Sequence, residues 1–198
     1  MAQPFSYLTI KAPAEAIFTD KGSKFIGCVF PVTSEQEVKQ CIEVTKEKYP
    51  KAVHYCYAYQ LGIDKVYKTS DDGEPSGTAG KPIHGQIRSA DVSDVLIVVV
   101  RYFGGTLLGV SGLINAYKTA AANALANADI ITKILSAQIT FSFKYDQLND
   151  VMKIAKLPHV NIVSKHIENN CEIILSFPLS EKNKLEEKLL QLEGIVIH

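Results

Sequence analysis

Two neighbouring segments, DDGEPSGTAGKPI at 71–83 and VLIVVVRYFGGTLLGVSGLINAY at 95–117, decide how this chain reads. They spell an acidic, glycine-rich loop, a short helix, a buried strand, a second glycine-rich loop and the start of an alanine-rich helix. The unbroken apolar run Val95–Val100 implies a strand buried on both faces, commonly under helices, so 94–101 is expected at the centre of a sheet. Arg101, Tyr102 and Phe103 then emerge at its carboxyl end beside Gly104 and Gly105. Lys81-Pro82 reads as a helix start with proline in the first turn, and Ile83 and Ile87 lie one turn apart. Ser111 is expected to cap a helix over 112–127, whose Leu113, Tyr117, Ala120, Ala121, Ala124 and Leu125 form a smooth face that lies close to a sheet. The glycines at 73, 77, 80, 104, 105, 109 and 112 point to two loops that shape one surface.

Toward the N-terminus, Tyr7–Phe18 reads as a strand interrupted by Pro13, which belongs at an edge because it cannot donate to a ladder. A turn at Thr19–Gly22 leads to an interior strand at Lys24–Val32, apolar on both faces. Ser34 with Glu37 three residues on is a capping-box signature, and Val38, Cys41, Ile42, Thr45 and Tyr49 recur at helical spacing up to Pro50. His54–Gln60 alternates like a strand, with His54, Cys56 and Ala58 on one face. Periodicity then lapses from Leu61 to Gly80, which reads as an irregular functional loop.

Beyond Asp129 the pattern changes. Strands are expected at Ala137–Lys144, His159–His166 and Cys171–Phe177, with helices over Tyr145–Ala155 and, capped by Ser180, over Ser180–Gln191. With Gly194–His198 as a last strand this is the β-α-β-β-α-β order of a ferredoxin-like domain. The expected fold class is therefore α+β in two domains, 1–132 and 133–198.

Composition sets bounds on function. The chain has 21 basic and 21 acidic residues, so it lacks the basic excess that commonly marks nucleic-acid binders. A hydrophobic content of 46% supplies apolar area for real cores. The apolar run at 95–100 is too short for a membrane span, and MAQPFSYLTIKAP lacks the basic start and apolar core of a secretion signal, so a cytoplasmic protein without membrane association is expected. Four cysteines (28, 41, 56, 171) without a C-x-x-C pair fit buried free thiols. His54 and Cys56 lack a second ligand pair, so neither a metal site nor a cofactor is expected.

The loops themselves fail the standard phosphate-binding patterns. Gly80-Lys81 is followed by Pro82 rather than Ser or Thr, and the second loop lacks G-x-G-x-x-G. There is no G-x-S-x-G elbow, and Asp-Asp-Gly-Glu lacks calcium-loop spacing. The expectation is one cleft beside Arg101, with Lys24, Lys81 and backbone N–H groups offering an anion site and Asp71, Asp72 and Glu74 forming an acidic rim. Those carboxylates also suit acid, base or magnesium-ligand roles, or structural pairing with Lys24, Lys81 or Arg101. His54 is a candidate general base, and Ser76, Thr78, Tyr102, Gly104, Gly105 and Ser111 complete the candidate set.

The DDGEPSGTAGKPI loop together with VVVRYFGGTLLGVSGLINAY at 98–117 resembles the signatures of the YigZ/IMPACT family. KGSKFIG at 21–27 and HYCYAY at 54–59 are similar to further elements of that family, and residues 137–198 look like the additional domain of its bacterial, two-domain members. The resemblance implies an N-terminal domain like the second domain of ribosomal protein S5 and a C-terminal domain like domain V of elongation factor G. Eukaryotic IMPACT proteins regulate translation by restraining an amino-acid-starvation kinase through its activator, with a separate RWD domain that is not expected here. The implied function is a translation-associated regulatory factor that binds RNA, the ribosome or a translation-related protein without catalysis. The alternative from the residues is a metal-dependent phosphate-ester hydrolase, or other small-ligand enzyme, built on the acidic loop.

Overall fold

The computed structural model describes residues 5–198, and the chain is a mixture of helices and strands in two compact units, Tyr7–Lys133 and Ile134–His198, the latter grouped with Phe5 and Ser6. In chain order the larger unit contains β1 (Ser6–Ile10), β2 (Ala14–Asp20), β3 (Ser23–Pro31), α1 (Glu35–Lys48), β4 (His54–Leu61), β5 (Val66–Ser70), α2 (Gly80–Ser89), β6 (Val95–Tyr102), α3 (Gly109–Ala126) and β7 (Ile130–Ile134). Five of these strands form one sheet in the order β2-β3-β6-β4-β5, every neighbouring pair antiparallel.

The apolar run places β6 at the centre, and the register fixes what each face meets. Val95, Ile97 and Val99 pack with Phe25, Val29, Cys56 and Ala58 under α2 and α3. Leu96, Val98 and Val100 pack with Ile26, Cys28 and Tyr59 under α1. Alternation thus gives three layers, α1, sheet, and α2 with α3, and explains why β6 carries no polar residue until Arg101. The alanine face of α3 lets that helix lie close: a Cβ added to Gly27 of β3 would stand 2.4 Å from the carbonyl oxygen of Ala120. At the end of β6, Gly104 lies so near the Gly22 turn that a Cβ there would be 1.9 Å from the Gly22 carbonyl carbon.

Several boundaries differ from the sequence reading. The strand expected over 7–18 is two: β1 leaves the main sheet to pair with β7, and β2 forms the sheet edge, with Pro13 between them. The segment expected to be irregular, 61–80, contains β5, an edge strand whose exposed Val66, Tyr67 and Lys68 conceal any apolar face. β7 was likewise unexpected, and all five of its residues are exposed. Ser34 does cap α1, accepting the Glu37 N–H, while the Glu37 carboxylate turns back to the Thr33 N–H at 2.6 Å. Ser111 does not cap α3, which begins earlier, at Gly109, with Leu108 at the cap position.

In the smaller unit, β8 (Ser136–Lys144), α4 (Leu148–Ala155), β9 (Asn161–His166), β10 (Asn170–Pro178), α5 (Lys182–Leu190) and β11 (Val196–Ile197) follow one another. The strands form an antiparallel sheet in the order β11-β8-β10-β9. Ile139, Phe141 and Phe143 of β8 join Cys171, Ile173, Leu175 and Phe177 of β10 against Val151, Ala155, Leu185 and Leu189 of the helices. Ser180 is not a cap either: it sits within a short 3-10 turn, Leu179–Glu181, that precedes α5. No helix among the described residues is long and apolar enough to cross a membrane.

Candidate functional site

Register decides which side chains can meet at the end of β6. His54 of β4 and Phe25 of β3 both stand opposite Arg101, so all three share the face covered by α2 and α3. Lys24 stands opposite Tyr102 on the other face, where the Tyr102 hydroxyl bonds the Pro50 carbonyl oxygen. Lys24 and Tyr102 therefore do not belong to the cleft expected beside Arg101, because the two-residue period of the strands turns them toward α1.

Arg101 itself is buried. Its guanidinium donates from Nη1 to Glu74 Oε1 at 2.5 Å and lies between the rings of Phe25 and Phe103, at 5.5 and 5.6 Å from their centres. The Tyr117 hydroxyl of α3 donates to the same Glu74 oxygen at 2.7 Å. Burial, with Cys56 and Glu74 alongside, raises the Tyr117 pKa, so the phenol remains a donor. His54 donates from Nδ1 to the Asp72 carbonyl oxygen at 2.7 Å, which turns Nε2 toward Glu74 Oε1 at 3.8 Å. The first loop thus reaches the end of β6 through Glu74 alone of its three acids.

The other two hold the loop in shape. Asp71 accepts the N–H groups of Gly77, Ala79 and Gly80 at 2.8, 3.0 and 2.8 Å, and so supplies from eight residues away the cap that Ala79 cannot give α2. Burial alone would raise the pKa of Asp71, but those N–H groups and the charge of Lys81 outweigh it and hold the carboxyl below its ordinary value. Asp72 accepts the Tyr55 N–H at 2.6 Å. Thr78 bonds the Pro75 carbonyl oxygen at 2.7 Å and closes a turn. Ser76 is exposed on that turn and Lys81 is exposed on α2. Gly104 donates its N–H to Ser23 Oγ at 3.1 Å, Gly105 adopts φ +86°, and Ser111 is exposed within the first turn of α3.

What opens beside Arg101 is an apolar cleft of about 410 Å³, floored by Glu74, His54 and Arg101 and walled by Val53, Pro75, Phe103, Leu107, Val110 and Leu113. Leu107 is 82% exposed and Val110 60%. Sequence reading missed these walls and Tyr117. An apolar Leu-Leu pair inside a glycine loop was the available signal for the walls, whereas nothing in the helical pattern of α3 distinguishes Tyr117 from a core residue.

The geometry defines a class of protein, a layered α/β domain with a sealed ion pair under an apolar cleft, joined to a second α/β unit. Comparison with known proteins places it further. The Impact N-terminal domain family matches residues 21–125. The chain is 32% identical over 188 residues to IMPACT family member YvyE of Bacillus subtilis, covering 94% of this chain and 87% of that protein. It is 34% identical over 149 residues to IMPACT family member YigZ of Escherichia coli, covering 74% of this chain and 73% of that protein. A solved structure described as that of a hypothetical protein superposes with a TM-score of 0.78 at 28% identity, over 98% of this chain and 97% of that one. The chain belongs to the IMPACT family.

Proposed function

We propose that this chain is a translation-associated regulatory factor of the cytoplasm that acts by binding, without catalysis, and that the apolar cleft beside Arg101 receives a translation-related protein. The observation that carries this reading is the exposed apolar set Phe103, Leu107 and Val110, which lines a cleft over the buried Arg101–Glu74 pair, where the Arg101 Nε–H has no partner among the described residues. A surface of this kind suits apolar side chains of a protein partner better than phosphates. The link to translation rests on membership of the IMPACT family. The commitment of Asp71, Asp72 and Glu74 to helix, strand and arginine removes the motive for a hydrolase on the acidic loop, since those groups would have to leave their partners to converge on an ion.

The same reading takes residues 1–132 as a domain like the second domain of ribosomal protein S5, the first four residues lying outside the described ones, and 133–198 as a ferredoxin-like domain like domain V of elongation factor G. The strand order β11-β8-β10-β9 with two helices on one face supports the second assignment.

Purified chain added to a reconstituted translation system is expected to change protein output in proportion to its concentration, and Leu107→Asp with Val110→Asp to abolish that change while leaving the thermal midpoint unaltered. An unchanged output, or an effect that survives the double substitution, overturns the reading.

A further inference from the structure

A second surface on the same unit carries different chemistry. Successive turns of α2 place Lys81, His84 and Arg88 along one stripe, spaced three and four residues apart. The neighbouring edge strand β5 sets Tyr67 against this stripe, its ring stacked on His84 with centres 4.1 Å apart and planes 13° from parallel. Between them lies a depression of about 450 Å³ lined by Gln60, Lys65, Tyr67, His84, Arg88 and Asp91. Unlike the cleft at Arg101, its walls are polar and basic.

Each polar group there has a settled or an open role. Gln60 is buried and donates from Nε2 to the Val92 carbonyl oxygen at 2.8 Å, which turns its Oε1 toward His84 Nε2 at 3.4 Å. That contact holds the His84 ring flat under Tyr67, and burial with the Arg88 charge lowers the His84 pKa, favouring the neutral ring. Lys65 and Asp91 neutralise each other at 2.6 Å. Arg88 makes no ion pair with the described residues, so its guanidinium remains open at the edge of the depression, whereas the Lys81 charge acts on Asp71. Tyr67 is 59% exposed, an unusual position for a large aromatic ring without a partner on its outer side.

We propose that this depression binds a nucleotide, its base on the Tyr67–His84 stack and its phosphate on Arg88. An exposed aromatic platform beside an unpaired cation is how single strands are held without base-specific contacts. The volume falls within the range of small-ligand sites. The neutral total charge of the chain does not oppose the site, because the cations are gathered locally rather than in excess overall. The site stands apart from the apolar cleft and does not depend on what that cleft binds. Its ligand is either a free mononucleotide or one residue of a single-stranded RNA.

Fluorescence anisotropy of labelled octauridylate and octaadenylate, measured on the full chain between 50 and 200 mM salt as an order-of-magnitude range, tests the site. Tyr67→Leu is expected to weaken binding by at least about fivefold, and Tyr67→Phe to retain it. Arg88→Gln is expected to flatten the dependence of log affinity on log salt by about 0.7, the share of one phosphate on a single strand. Lys188→Gln, on α5, is the control and is expected to match the wild type. Competition by uridine or adenosine monophosphate as strong as that by the oligomers assigns the site to free nucleotides, and weaker competition assigns it to RNA. Both Tyr67 and Arg88 are exposed, so the variants are expected to melt with the wild type. Absence of binding by both oligomers and both monophosphates at the lowest salt, or equal binding by wild type, Tyr67→Leu and Arg88→Gln, overturns the proposal.

Discussion

The hydroxyl of Tyr117 and the carboxylate of Glu74 meet at 2.7 Å across 43 residues of sequence, fastening the loop before α2 to the inner face of α3. Arg101 reaches the same carboxylate oxygen from the end of β6, so one atom ties together a loop, a strand and a helix.

This three-way junction predicts unequal costs. Glu74→Ala leaves the Arg101 guanidinium buried without its counter-charge and is expected to cost about 3–5 kcal/mol. Tyr117→Phe removes one donor while Arg101 still satisfies the carboxylate, for a cost of about 1 kcal/mol. Combining Glu74→Ala with Arg101→Met is expected to be less damaging than Glu74→Ala alone, because no uncompensated charge remains in the core. Urea midpoints of the three variants check the order, and a double variant less stable than Glu74→Ala would show that Arg101 holds the fold without Glu74.

A pH-dependent contribution is expected from Asp71. Its folded-state pKa is depressed, since the helix N–H groups outweigh burial. The stabilisation is therefore fully present above the unfolded carboxyl value of about 3.9 and is lost as pH falls through the lower folded value. Asp71→Ala removes the cap of α2 and is expected to cost about 1–2 kcal/mol at neutral pH. The difference between wild type and variant is expected to shrink below about pH 4, measured by urea unfolding across that range. A difference that stays constant with pH would mean the loop, and not the charge, supplies the effect.

The layered order around β6 was legible because the apolar run at 95–100 and the helical spacing in 38–49 and 113–125 have only one burial solution each. The elements that escaped, β5 and β7, are edge or ribbon strands whose side chains are largely exposed, so pairing rather than hydrophobic pattern creates them. At the cleft, Glu74, Arg101 and His54 stand together, whereas Lys24 and Tyr102, which the sequence reading also drew in, lie on the opposite face of the sheet. Proximity along a strand gives no hint of face until a register is known, and register is set here by which residue stands opposite Arg101. Asp71 shows the opposite limit: its cap reaches from outside the helix by way of a turn, and no local capping pattern describes it.

A close approach between sheet and helix at Gly27 gives the last prediction. Gly27 lies in the interior of β3, and a Cβ there would stand 2.4 Å from the Ala120 carbonyl oxygen and 3.0 Å from the Ala124 Cβ. The first obstacle is helix backbone, which has no rotamer to change, so Gly27→Ala must push α3 away from the sheet at a cost of about 1–3 kcal/mol. Because Tyr117 rides on the same helix, the displacement is also expected to lengthen its bond to Glu74 and loosen the floor of the cleft. Adding Ala124→Gly removes only the side-chain obstacle, so it is expected to restore little of the lost stability. Urea unfolding measures the cost, and the near-ultraviolet circular dichroism of the edge-on pair Phe25 and Tyr117, whose ring centres are 5.2 Å apart, reports the displacement. A Gly27→Ala chain with the wild-type midpoint and an unaltered aromatic signal would show that α3 does not need glycine beneath it.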